Sequence, residues 1–149
     1  MKNAVFAHGE LSAPGADDDM VVVEEKREGG LRVRVHAGGI DFVADEPVAA
    51  GGLGSGPNPY DLLRAALGSC VAMTLRLYAD RKAMPLEGVR VAVRHARTQG
   101  APPDLFMVEL RLDGPLDDAQ RARLLEIADH CPVHRTLTGG ARVETLASV

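Results

Sequence analysis

Apolar and polar positions along this chain change period several times, and the changes mark its elements. Val21, Val22 and Val23 form a β-branched run inside Met20 to Glu25, which predicts a strand. Glu28-Gly29-Gly30 supplies turn chemistry, after which Leu31, Val33 and Val35 alternate with Arg32, Arg34 and His36. That alternation predicts a half-buried strand with a cationic outer face. Gly38-Gly39 makes a second turn and leads to a third strand, Ile40-Asp41-Phe42-Val43-Ala44. Three strands in a meander is the simplest arrangement.

From Pro47 to Pro57 glycine dominates, with Gly51, Gly52, Gly54 and Gly56. The stretch lacks the Gly-Lys-Ser/Thr ending of a phosphate loop and follows no clear buried strand, so a flexible connector is expected. Asn58 then offers a helix cap, Pro59 suits the first helical position, and Asp61 is placed to pair back and to complement the positive helix end. The helix is expected to run to about Lys82, with Leu63, Leu67, Cys70, Thr74 and Leu77 on one stripe, and Pro85 ends any continuation. Gly68 in its middle costs about 1 kcal/mol against alanine, which suggests a second helix crossing closely there.

Val89, Val91, Val93 and His95 alternate with Arg90, Ala92, Arg94 and Ala96, and Phe106 to Leu112 alternates likewise after a turn at Gly100 to Asp104. These predict a hairpin. Asp117, with Gln120 three residues on, caps a second helix whose stripe is Leu124, Ile127, Ala128 and Cys131, and Pro132 interrupts it. Val143 to Leu146 is expected to close the sheet. The order β-β-β-α-β-β-α-β with short connections is α+β. Residues 1–19, with Pro14, Gly15 and three aspartates at Asp17 to Asp19, read as a flexible N-terminal arm, and 20–149 as a single domain.

The length of 149 residues suits one domain or one protomer of a small oligomer. Aromatic residues make up only 3%, so the core must come from Leu, Val, Ala and Met. A net charge of -4 argues against a nucleic-acid partner. No run reads as long enough to span a bilayer, and residues 1–20 lack a basic start followed by an apolar stretch, so neither a membrane partner nor a secretory signal is expected. A cytoplasmic location follows as an expectation. In such a chain two cysteines are more often catalytic, metal-binding or inert than a permanent staple.

Those two cysteines are the candidate chemistry. Cys70 lies about 18 Å along the helix from Asn58, too deep for the helix dipole to charge it, and burial alone would make it inert. As a nucleophile it needs a cation brought from elsewhere, and the early strands offer Arg27, Arg32 and Arg34. Cys131, followed by Pro132, is placed to cap a new short turn, Pro132-Val133-His134-Arg135, where free N–H groups would favour a thiolate. On these grounds Cys131 is the easier thiolate to make. His130, Cys131 and His134 are donor types that zinc accepts, at a spacing too tight for a standard finger.

Gly56-Pro57-Asn58-Pro59-Tyr60-Asp61-Leu62-Leu63, Leu67-Gly68-Ser69-Cys70, Met73-Thr74-Leu75-Arg76 and Cys131-Pro132-Val133-His134-Arg135-Thr136-Leu137 together resemble the osmotically inducible protein C / organic hydroperoxide resistance (OsmC/Ohr) family. The resemblance implies an OsmC-like fold, an antiparallel sheet packed on long central helices in an intertwined homodimer with sites at the subunit interface. It implies a thiol peroxidase that reduces organic hydroperoxides without metal or flavin cofactor and is reset by an external dithiol. It makes Cys70 the peroxide-attacking cysteine, Cys131 the resolving cysteine and Arg27 the activating arginine, with Arg32 and Arg34 as alternatives. The family's well-studied members carry a glutamate directly after Asn-Pro, where this chain has Tyr60, so Asp61 and Glu46 stand as candidate arginine partners. That departure leaves a second reading open, a small-molecule binding or thiol-handling protein on the same frame without significant peroxidase activity.

Overall fold

The computed structural model describes residues 20–145 and 147, so the expected arm over 1–19 lies outside the described residues. The chain divides into two compact units, one running to Pro59 and taking in Val143 onward, the other Tyr60–Arg142.

In the first unit β1 (Val22–Glu25), β2 (Val33–Ala37) and β3 (Ile40–Ala44) form the expected antiparallel meander in the order β1-β2-β3. Ala37 pairs with Ile40, leaving Gly38 and Gly39 as a two-residue turn with φ of 56° and 75°. Both signs are what a type I′ hairpin needs, and they match the twist of the strands it joins. Val35 and Ala44 are buried on the inner side, and Arg34 stays exposed on the outer.

The glycine-rich stretch is ordered, contrary to the expected flexible connector. It folds around one buried carboxylate, that of Asp45, 2% exposed. Oδ1 accepts the N–H of Glu46 at 2.9 Å, and Oδ2 accepts the N–H groups of Leu53 and Ser55 at 3.0 and 3.1 Å and the Ser55 hydroxyl at 2.8 Å. A Cβ on Gly52 would sit 1.8 Å from the Glu46 carbonyl oxygen and 2.7 Å from Asp45 Oδ1. Glycine is required there by the closeness of backbone to backbone. The sequence shows no lysine or second strand to signal this; the signal is Asp45 itself, a short acid ahead of a run of small residues.

The second unit is built on α1 (Pro59–Arg81), followed by the hairpin β4 (Gly88–Arg97) and β5 (Asp104–Asp113), then α2 (Asp118–Ala128) and α3 (Pro132–Gly139). The hairpin pairs in register from Gly88↔Asp113 to Arg97↔Asp104. α2 starts on the expected capping box, Asp117 accepting the N–H of Gln120 at 2.7 Å and Gln120 Oε1 accepting the N–H of Asp117 at 3.0 Å. Leu67, Val71, Leu75 and Ala79 on α1 meet Leu86, Leu116, Leu124, Ala128 and Cys131 in one buried cluster.

Four expectations for α1 and the chain end are corrected. The buried stripe is Leu67-Val71-Leu75-Ala79, one residue round from the expected line, and Leu63 and Leu77 are 42% and 52% exposed. α1 is apolar on much of its circumference, so periodicity alone did not fix which stripe faces inward. The close neighbour at Gly68 is a strand, not a helix: a Cβ there would lie 3.3 Å from Val93 Cγ2 and 3.8 Å from Val91 Cγ1, both on β4. By length and hydropathy alone α1 is able to cross a membrane, against the reading that no run is; the same apolar composition serves its packing here. Residues 143–145 carry no regular structure, so the expected closing strand is absent among the described residues, and α3 stands after α2 instead. A segment this short makes no strand without a hydrogen-bonded neighbour.

Candidate functional site

The second unit brings both thiols together. Cys70 projects from the middle of α1, half-buried between the buried Leu67 and Val71. Cys131 is fully buried, 0% exposed, in the short link between α2 and α3. Its backbone is extended, Pro132 takes the first position of α3, and its sulfur accepts the N–H of His134 at 3.3 Å. The expected capping role of Cys131 is therefore real, and its partner is a helix amide. Both cysteines are free, and Cys70 stands close enough to interact with Cys131 through its side chain.

Capping does not make Cys131 a ready thiolate. Burial, the largest influence, pushes its thiol above the usual 9.0, and the neighbouring Cys70 pushes the same way; the N–H groups of His134 and Val133 pull it down without prevailing. Desolvation penalises the thiolate more than one helix turn rewards it.

Arg27 lies in the first unit, just past β1 in the turn to β2. It is exposed and lines a shallow hollow of about 430 Å³ with Glu24, Glu25, Lys26, Glu28 and Arg34. Arg32 is engaged locally, its Nη2 donating to the Glu28 carbonyl at 3.2 Å and to Glu28 Oε2 at 3.3 Å. Of the carboxylates considered as arginine partners, Asp61 pairs with Arg64 one turn along α1. Glu46 is half-buried beside Asp45, at the mouth of the glycine loop.

A polar cluster in the second unit escaped the sequence reading. Tyr60 stacks on the His95 ring at 4.5 Å between centroids and 17° between planes, and His95 meets Phe106 at 4.8 Å. His95 Nε2 is 2.9 Å from Asp104 Oδ1, which Arg97 Nε also approaches at 3.6 Å. The signal was present: His95 falls on the inward positions of an otherwise valine-rich strand, where an imidazole needs a partner. So the position that carries a glutamate in the resembled family holds here a phenol stacked on an imidazole.

Beside this cluster lies a cavity of about 560 Å³, walled by Leu67 and Val71 of α1, Phe106, Val108 and Leu110 of β5, Leu125 of α2 and Leu137 of α3. Asp104, Asp129, His134 and Thr138 add polar groups to the wall. His130 directs Nδ1 to the Glu126 carbonyl at 2.7 Å, away from a shared site with Cys131. Among the described residues no three His, Cys, Asp or Glu side chains are placed to hold a metal ion.

Residues 52–146 match the family model described as OsmC-like protein. No curated protein matches by sequence. Several solved structures share the fold. An osmotic stress induced and detoxification response protein from Psychrobacter arcticus is 23% identical, with a TM-score of 0.64 over 81% of this chain and 90% of that one. An organic hydroperoxide resistance protein from Legionella pneumophila is 22% identical, with a TM-score of 0.58 over 80% and 90%. The organic hydroperoxide resistance protein OhrB of Bacillus subtilis is 21% identical, with a TM-score of 0.56 over 80% and 91%.

Proposed function

Because the chain belongs to the OsmC-like family, we propose that it reduces organic hydroperoxides through a cycle of two cysteines. The observation that carries this reading is the meeting of Cys70, on a long helix, with the buried helix-capping Cys131. The names of the Legionella and Bacillus neighbours support the substrate class.

In the proposed cycle the Cys70 thiolate attacks the outer oxygen of the hydroperoxide. The O–O bond breaks, the alkoxide leaves and takes a proton as alcohol, and Cys70 becomes a sulfenic acid. Cys131 then attacks that sulfur, water departs, and a disulfide joins the two. An external dithiol reduces the bridge by thiol exchange, so the bridge must be reducible rather than a staple. Arg27 is proposed as the guanidinium that favours the Cys70 thiolate and offsets the charge of the departing alkoxide. The protein is proposed to act as a cytoplasmic homodimer. Exposed Leu63, Met73 and Leu77 on α1, at 42%, 70% and 52%, support a partner on that helix.

Mass spectrometry after one equivalent of cumene hydroperoxide tests the cycle. The expected product is a Cys70–Cys131 disulfide, with Cys131→Ser stopping at a Cys70 sulfenic acid that dimedone traps. Reduced, unmodified protein after that treatment would overturn the reading. Arg27→Ala is expected to slow the first step about a hundredfold, and Arg34→Ala to leave it near the wild-type rate. One observation favours the alternative, a thiol-handling or small-molecule binding protein on this frame: Tyr60 stacks on His95 where the resembled family has a carboxylate. Negligible turnover with lipoyl, thioredoxin and glutathione donors alike would decide for it.

A further inference from the structure

Cys131 has to lose its proton before it can act as a nucleophile, and its surroundings oppose that. The residue placed to help is His134. It holds the third position of α3 while Cys131 is the cap, so its backbone N–H faces the cap's side chain. Its backbone N–H is already on the sulfur at 3.3 Å. Its ring Nδ1 is buried and makes no hydrogen bond among the described residues, an unusual state for a buried polar atom. Its Nε2 lies 3.9 Å from Asp129 Oδ1, at the end of α2, so a proton arriving on the ring gains a carboxylate neighbour.

We infer that His134 accepts the proton of Cys131 as that thiol attacks oxidised Cys70, with Asp129 favouring the imidazolium that forms. This rests on the two-cysteine cycle proposed above. In the step, the Cys131–Cys70 S–S bond forms and the S–O bond of the sulfenic acid breaks. The proton leaves Cys131, passes to the imidazole and then to the departing oxygen, which leaves as water. The His134 N–H holds the sulfur while its charge develops. Other titratable groups around the ring are accounted for. Asp104, on the cavity wall from β5, is engaged by His95; Cys70 comes from α1; His130, at the end of α2, is bonded to the Glu126 carbonyl; Arg135, next on α3, is exposed.

The test avoids peroxide, so that it stands apart from the peroxidase reading. Dithionitrobenzoate, a chromogenic aromatic disulfide, first labels Cys70, the more accessible thiol, and releases one thionitrobenzoate. Attack of Cys131 on the mixed disulfide releases a second. Only the second release depends on the Cys131 proton. In His134→Ala it is expected to slow about a hundredfold at neutral pH, and the deficit should shrink as pH rises and Cys131 ionises unaided. His134→Asn, polar but unable to titrate in this range, should behave as His134→Ala; recovery of the wild-type rate in it would show a structural role and overturn the inference. Asp129→Asn, a change at an exposed carboxylate, should slow the second release several-fold. Wild-type rate and pH profile for the second release in His134→Ala, or in Asp129→Asn if His134→Ala does not fold, would overturn the inference. Failure of hydroperoxide to form the disulfide in the wild-type protein would count against the cycle alone.

Discussion

Single residues set two opposite pH limits on this chain. At Asp45 burial acts to raise the carboxyl, but hydrogen bonds from Ser55, Leu53 and Glu46 together hold it below the usual 3.8. A group lowered on folding contributes stability that is complete above its unfolded value and is lost as pH falls through the folded one. Asp45→Asn is therefore expected to lower the urea midpoint at neutral pH and to flatten its fall on the acid side. The thiol of Cys131 is raised from 9.0, so its contribution is complete below that value and fades as pH climbs through the folded one. Cys131→Ala should flatten the alkaline limb of the same curve. Gly52→Ala would force a methyl into the Glu46 carbonyl, at an expected cost of about 1–3 kcal/mol in the same assay. Sequence exposed part of this. Cys131 as a cap was legible because a proline followed it. The direction of its titration was not, because burial is set by α1 and α2 together and no local spacing reports it.

Among the elements, α1 carries the core of its unit. Leu75, fully buried, packs with Leu67 on α1 and with Leu124 of α2. Leu75→Ala is expected to cost about 2–5 kcal/mol by denaturant unfolding, and Asp117→Ala, which breaks the capping box, about 1 kcal/mol. The strands, their three antiparallel pairings and the start of α2 were readable, since each depends on alternation, turn glycines or a cap only a few residues away. What was not readable depends on surfaces far apart in the chain. The inward stripe of α1 is chosen by the strand and helix that cover it, and Gly68 is explained by β4, some twenty residues later. The stacked Tyr60 and His95 belong to the same class, joined across α1 and β4.

For the whole molecule, sedimentation of the intact chain is expected to give a dimer, and the paired change Met73→Lys with Leu77→Lys a monomer of unchanged helix content. Both side chains lie on exposed parts of α1, so the substitution tests association without hollowing the core. The sulfur of Cys131 carries a wider consequence. The atom that begins α3 is also the atom that the proposed cycle oxidises. A disulfide draws this sulfur from contact to bonding distance of Cys70, so oxidation would loosen the tether on the His134 amide. Deuterium would then enter the opening turn of α3 sooner in the disulfide form than in the dithiol form. The last helix would serve as a gauge of the electrons the protein holds, and whatever steadies that helix would, by linkage, favour the reduced chain.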